Sequence, residues 1–92
     1  MINLIDYYQQ KENWLAEEMD GELLLFDTKN LKTVLLNSSS KIVWELLDTD
    51  LTVQEIVTKL EDDFPDHAHH IEHDVLNTIS QLLDLELVTK YG

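Results

Sequence analysis

The hydrophobic pattern of this chain changes period once, inside the stretch Lys32 to Trp44, KTVLLNSSSKIVW. Thr33 to Leu36 has strand character, Asn37 and Ser38 form a polar stop, and Ile42, Val43 and Trp44 open a helix-spaced pattern. Apolar runs before this hinge read as strand and those after it as helix. That order predicts an α+β fold with a winged-helix-like arrangement, a three-stranded antiparallel sheet followed by three helices.

Trp14 to Met19 and Glu22 to Asp27 flank the pair Asp20-Gly21. An Asp-Gly pair between two strand-like runs signals a two-residue hairpin, because a type I′ turn needs positive φ at both central positions. Glu17 and Glu18 interrupt the first run and wet part of one face, whereas LLLF at 23–26 is apolar on both faces and belongs in the centre. DTKNL at 27–31 reads as a looser turn with Asn30 as its left-handed residue, and the third strand follows. Residues 1–13 have weak periodicity. Leu4, Ile5, Tyr7 and Tyr8 either pack on the body or leave a loosely ordered N-terminal segment, so the domain proper is taken as residues 14–92.

Asn37 or Ser38 supplies the N-cap of a first helix spanning Ser39 to Leu47, which Asp48-Thr49-Asp50 ends. Thr52 and Glu55 have capping-box spacing, and Leu51 with Ile56 has hydrophobic-staple spacing. Val53, Ile56, Val57, Leu60 and Phe64 then form one apolar stripe before Pro65 closes the second helix. A third helix runs from Ala68 to Asp84, leaving Leu85, Leu87 and Val88 to finish on the body. At ~100° per residue its apolar arc covers about 180°, wider than the roughly 100° that packing on one core requires. Either this helix is sandwiched between two layers or part of its apolar face lines a groove.

Six lysines, no arginine and nineteen carboxylates give a formal charge of −13. Such a surface repels nucleic acid and anionic membranes. The third helix contains neither Lys nor Arg, so it lacks the side chains with which a recognition helix reads DNA. Lys29, Lys32 and Lys41 fall between Thr28 and Trp44 with no acid among them, a local break in the negative potential or a chance clumping. The absence of cysteine excludes a disulfide framework and is compatible with a reducing compartment. MINLIDYYQQ has no basic n-region, and no apolar run approaches the ~20 residues of a membrane span. A soluble, cytoplasmic protein is expected, with no nucleic acid and no membrane partner.

The chain has no nucleophile elbow and no Gly-rich phosphate loop, since Gly21 and Gly92 are its two glycines. Neither an enzyme nor a cofactor is expected. His67, His69, His70 and His73 cluster at the start of the third helix, and His69 and His73 have the i, i+4 spacing that can hold a divalent metal. A third ligand would have to come from His70, Asp66 or farther away; a solvated helix start also accounts for the cluster, and no metal is assigned. A three-stranded sheet leaves at least one edge unpaired, and an unpaired edge is a template for another chain.

ELLLFD, TVLLNSSSKIVWELLD, LTVQEIVTKLEDDF and DVLNTISQLLDLELV, in this order and spacing, resemble the PqqD-like family. Its stand-alone members are recognition elements, peptide chaperones in the biosynthesis of ribosomally made, modified peptides. The resemblance covers Trp14 to Val88 and departs from the family at Asp50-Leu51, where a glycine-led turn is common, and at Glu86, which replaces the usual glycine. It implies a domain without catalytic activity that binds the leader segment of a precursor by adding it to the third strand, β-augmentation in which main-chain bonds give affinity and side-chain pockets give selection. By the resemblance, Lys32, Thr33, Val34, Leu35 and Leu36 form the backbone ladder, and Val75, Thr78, Ile79 and Leu82 form the helix side of the cleft, with Trp44 in the core. In the first register to test, Val34 turns its N–H outward, so that Val34→Pro abolishes peptide binding; the register with Leu35 outward is the next. The implied partner is a modifying enzyme (a leader peptidase, a cyclase or a radical SAM enzyme), and MINL and NSSSKIVW look closer to the lasso-peptide members than to the quinone ones. The alternative is a self-associating structural or regulatory module that pairs through the same edge, so both monomer and dimer are compatible with the sequence.

Overall fold

The computed structural model describes residues 2–91. In chain order its elements are β1 (Tyr7–Gln10), β2 (Trp14–Met19), β3 (Glu22–Asp27), β4 (Lys32–Leu36), α1 (Ser38–Leu46), α2 (Val53–Asp63), a single 3₁₀ turn (Pro65–His67), α3 (Ala68–Asp84) and β5 (Val88–Tyr91). The expected α+β arrangement is present: β2, β3 and β4 form an antiparallel sheet in that order, and the three helices follow it. Asp20 and Gly21 take φ of 51° and 84°, the values of a type I′ turn, and place Met19 opposite Glu22. Trp14, Leu23, Leu25 and Leu36 are buried on the face that meets the helices, while Leu15, Phe26 and Leu35 are exposed on the other.

Local chemistry sets the helix starts. Asn37 caps α1, its side-chain oxygen accepting from the Ser40 N–H at 2.9 Å. In α2 the capping box is complete: the Thr52 hydroxyl accepts from the Glu55 N–H at 3.1 Å, and the Glu55 carboxylate accepts from the Thr52 N–H at 2.9 Å. Ile71, Val75, Ile79 and Leu82 of α3 are buried, and Leu76 and Leu83 to one side of them are half-buried against the same core. The wide arc thus serves two sides: one packs on the other helices, and the other lines a cavity with Tyr8 and Ile2 of the N-terminal segment.

A second sheet was not legible in the sequence. β1 pairs antiparallel with β5, from Tyr7 opposite Tyr91 to Gln10 opposite Val88. The segment before it does further work, because the carbonyls of Leu4 and Asp6 accept from the N–H groups of Gln54 (2.8 Å) and Val53 (3.0 Å). These are first-turn amides of α2, which have no partner within their own helix. Gln10 Nε2 also donates to the Trp44 carbonyl at 2.8 Å, and Tyr8 is buried. Residues 2–10 are thus bonded to α1, α2 and β5; Met1 lies outside the described residues. Burial, followed by the charge of Asp6 and a hydrogen bond to it, raises the pKa of the Tyr8 phenol.

Among the described residues, four that are not glycine take left-handed φ: Asp20, Leu31 (56°), Asp50 (58°) and Glu86 (60°). In the turn before β4 the left-handed residue is therefore Leu31 and not Asn30. Asn30 instead donates its Nδ2 to Asp27 at 2.9 Å, and the Lys29 and Asn30 N–H groups donate to the same carboxylate. Asp50 and Glu86, the positions where the resemblance implies a glycine, hold a backbone state that glycine adopts without strain. A side chain in that state costs about 1–2 kcal/mol, so Glu86→Gly is expected to stabilise the fold by roughly 1 kcal/mol and raise Tm by about 4–8 °C. The interaction of the Glu86 carbonyl with Trp14 Nε1 (3.3 Å) is a backbone contact that the substitution keeps. Thermal melts with an unchanged or lower Tm would contradict this account of the turn.

Candidate functional site

Among the described residues, β4 has a partner strand on one side only, β3. The direction of its amides follows from the first hairpin. Met19 and Glu22 close a two-residue turn and so form a hydrogen-bonded pair. At the other end of the same ladder, the Thr28 N–H donates to the Asn13 carbonyl at 3.4 Å, one step beyond the pair of Trp14 and Asp27. Antiparallel bonding alternates, so Glu22, Leu24 and Phe26 bond toward β2, and Leu23, Leu25 and Asp27 toward β4. The partners of the latter three are Leu36, Val34 and Lys32. The amides of Thr33 and Leu35 are consequently the ones that face the vacant edge. The Leu31 N–H donating to the Asp27 carbonyl at 2.9 Å agrees with that direction.

The two edges of this sheet differ chemically. β2 carries Glu17 and Glu18, whereas β4, KTVLL, carries no carboxylate. Lys41 on α1 reaches Glu18 at 2.8 Å, and that hydrogen bond, against opposing desolvation and with the carboxylate's charge, raises its pKa. Asp27, in register with Lys32, is buried within its own turn. Burial opposes its ionisation, but hydrogen bonds from Asn30, Lys29 and Asn13 outweigh it and bring the pKa down to about 2.

Where β4 runs into α1, the first turn of α1 faces the first half of α3 across a groove of about 420 Å³. Ser38, Ser39, Ile42 and Val43 line one wall, and Leu60 of α2 and Phe64, just past its end, complete the lining. The α3 wall consists of Ile71, Val75 and Thr78, with His70 and Asp74 beside them. His70 Nδ1 lies 2.6 Å from Asp74 Oδ2, and the rings of His69 and His67 are 4.6 and 5.4 Å from that of His70. His67 and His70 therefore belong to the groove, while His69 and His73 are exposed outside it. Among the described residues no three His, Cys, Asp or Glu side chains converge as a metal site.

Of the residues expected to form the cleft, Val75 and Thr78 line the groove. Ile79 and Leu82 are 0% and 1% exposed and lie in the core. The groove sits about one turn nearer the start of α3 than the apolar arc suggested, because Phe64 and the start of α1 close over that part. Lys32, Thr33 and Leu35 are exposed on β4, Val34 is half-buried and Leu36 is buried. The contribution of α1 and Phe64 was not read from the sequence, since nothing in their local pattern shows that they face α3. Trp44 lies in the core.

The model of the family described as Coenzyme PQQ synthesis protein D (PqqD) matches residues 22–88. The chain belongs to the PqqD family. The PqqD match begins at β3 and takes in β4, all three helices and the first residue of β5, so the exposed edge and the groove both lie inside it. Among solved structures, TbiB1 in complex with the TbiA(beta) leader peptide is 19% identical, with a TM-score of 0.77 over 91% of this chain and 98% of that one. At that identity the likeness establishes a shared fold. No curated protein sequence matches the chain.

The amide directions separate two substitutions. Val34→Pro removes a bond to β3 and leaves the Leu25 carbonyl short of its donor, an expected loss of about 1–3 kcal/mol. Leu35→Pro deletes an outward N–H and should leave the domain folded, with stability changed by less than about 1 kcal/mol. Urea unfolding in which Leu35→Pro is the more damaging of the two would reverse the assigned directions.

Proposed function

We propose that this protein is a non-catalytic recognition element that binds the leader segment of a ribosomally made precursor peptide and presents the attached core to a modifying or leader-processing enzyme. The observation that carries the reading is the outward pair of amides on β4, on an edge free of carboxylates and ending at an apolar groove. An extended peptide laid against Thr33 and Leu35 gains main-chain bonds there, and its alternate side chains point toward the groove. Membership of the PqqD family and the fold shared with a protein solved on a leader peptide support the same reading. The helix side of the proposed site is Val75 and Thr78, joined by Ile42, Phe64 and Ile71, while Ile79 and Leu82 support it from beneath. Holding a leader beside an enzyme raises the effective concentration of the core peptide without any chemistry in this chain. A lasso-type pathway, with a leader peptidase and a cyclase, is the reading that the hinge sequence NSSSKIVW favours. The cytoplasm is the compartment in which precursor and protein would meet.

Calorimetry with the leader of a precursor encoded beside this chain's gene tests the proposal. We expect one peptide per protein, with affinity falling about tenfold or more in Leu35→Pro, the equivalent of one lost hydrogen bond with its desolvation. Light scattering should show one copy in the complex. A dimer that ignores the peptide and dissociates on Leu35→Pro substitution would instead establish self-association through the same edge.

A further inference from the structure

The charges along β4 carry a further inference, which rests on the strand-addition reading and narrows the peptide it admits. Three lysines lie between Thr28 and Trp44, but they are not equivalent. Lys41 is held by Glu18 at 2.8 Å. The Asp27 carboxylate, opposite Lys32 in the sheet, is engaged by Asn30 and the Lys29 N–H. Among the described residues, Lys29 and Lys32 have no ion-pair partner, and both are exposed, Lys29 in the turn before β4 and Lys32 at its first position. In a chain of charge −13 two lysines against the single Asp27 carboxylate leave a locally positive end, on an edge whose counterpart, β2, carries Glu17 and Glu18.

Strand geometry turns this into a spacing. Lys32, Val34 and Leu36 share the helix-facing side of β4, as their partners Asp27, Leu25 and Leu23 show by their burial. An added strand has its residues opposite these three on that same side. Its residue opposite Leu36 stands at the mouth of the groove, which begins at Ser38. Its residue opposite Lys32 lies four positions away, roughly 13 Å at ~3.3 Å per residue. Both pairs already in this sheet are antiparallel, and antiparallel pairing is the slightly more stable mode.

We propose that the site selects peptides with a large apolar side chain, seated in the groove, followed four residues later toward the C-terminus by Asp or Glu, which meets Lys32 with Lys29 beside it. The positive end thereby fixes the direction of the peptide as well as its register. The net negative charge does not oppose this, since over a Debye length of ~8 Å at physiological salt the local lysines dominate.

Selection from a displayed random library of twelve-residue peptides on the immobilised full chain, with Leu35→Pro protein as the counter-target, provides the test. The expected consensus is Leu, Ile, Phe, Tyr or Trp, three unconstrained residues, then Asp or Glu. Lys32→Glu should weaken binding of the selected peptides about three- to tenfold, and replacing their acid by Lys should restore it. Enriched peptides that need Leu35 but lack the acid, or carry it four residues before the apolar anchor, would overturn the charge rule and leave strand addition standing. A pool that binds Leu35→Pro protein equally well would overturn strand addition and this inference together.

Discussion

The two-residue turn at Asp20-Gly21 determines more of this molecule than any other local feature. Its type I′ geometry pairs Met19 with Glu22 and so sets the bonding parity of β3 along its whole length. That parity decides which residues of β3 bond to β4, which residues of β4 bond inward, and which amides remain for another chain. The same alternation sends Leu23 and Leu25 into the core and leaves Leu35, 56% exposed, on the outer face. A slip of one residue would invert both properties together, exposing the core set and turning the outward amides inward.

The groove depends on a different part of the fold. α1 is capped at Asn37, directly behind β4, so its first turn cannot move away from the strand's end. α2 is held at its start by the carbonyls of Leu4 and Asp6, and α3 packs against it. The N-terminal segment therefore stabilises the element just past whose far end Phe64 lines the groove. The PqqD match starts after this segment, at residue 22, yet the segment supports the site from outside the matched span.

Those parts of the fold whose cause is local were legible in the sequence. The Asp-Gly turn, the Thr52 and Glu55 capping box, and the bounds of α3 at Ala68 and Asp84 each have their signal within a few residues. β1 and β5 were not legible, because YYQQ and VTKY are four-residue strands of mixed polarity whose pairing joins opposite ends of the chain. In the turn before β4 the left-handed residue is Leu31 and not Asn30, whose side chain is engaged by Asp27 within the same turn, a pairing that single-residue turn propensity does not register. At the candidate site, the edge strand was legible from its position, but the groove was displaced along α3. An apolar arc records everything a helix buries, and here Ile79 and Leu82 face the core while Ile71 and Val75 also face the groove. For the histidine cluster the sequence offers either a metal-holding pair or a solvated helix start, and nothing in it signals that His67 and His70 line the groove.

The central claim concerns four adjacent amides, and hydrogen exchange followed residue by residue by NMR tests it most directly. In the free protein, Val34 and Leu36 should be protected by their bonds to β3, while Thr33 and Leu35 exchange at rates near those of an unstructured chain. Saturating leader peptide should then protect Thr33 and Leu35 and leave the β2 edge unchanged. Protection of Thr33 and Leu35 without peptide, or exchange at that pair that a bound peptide does not slow, would contradict the account.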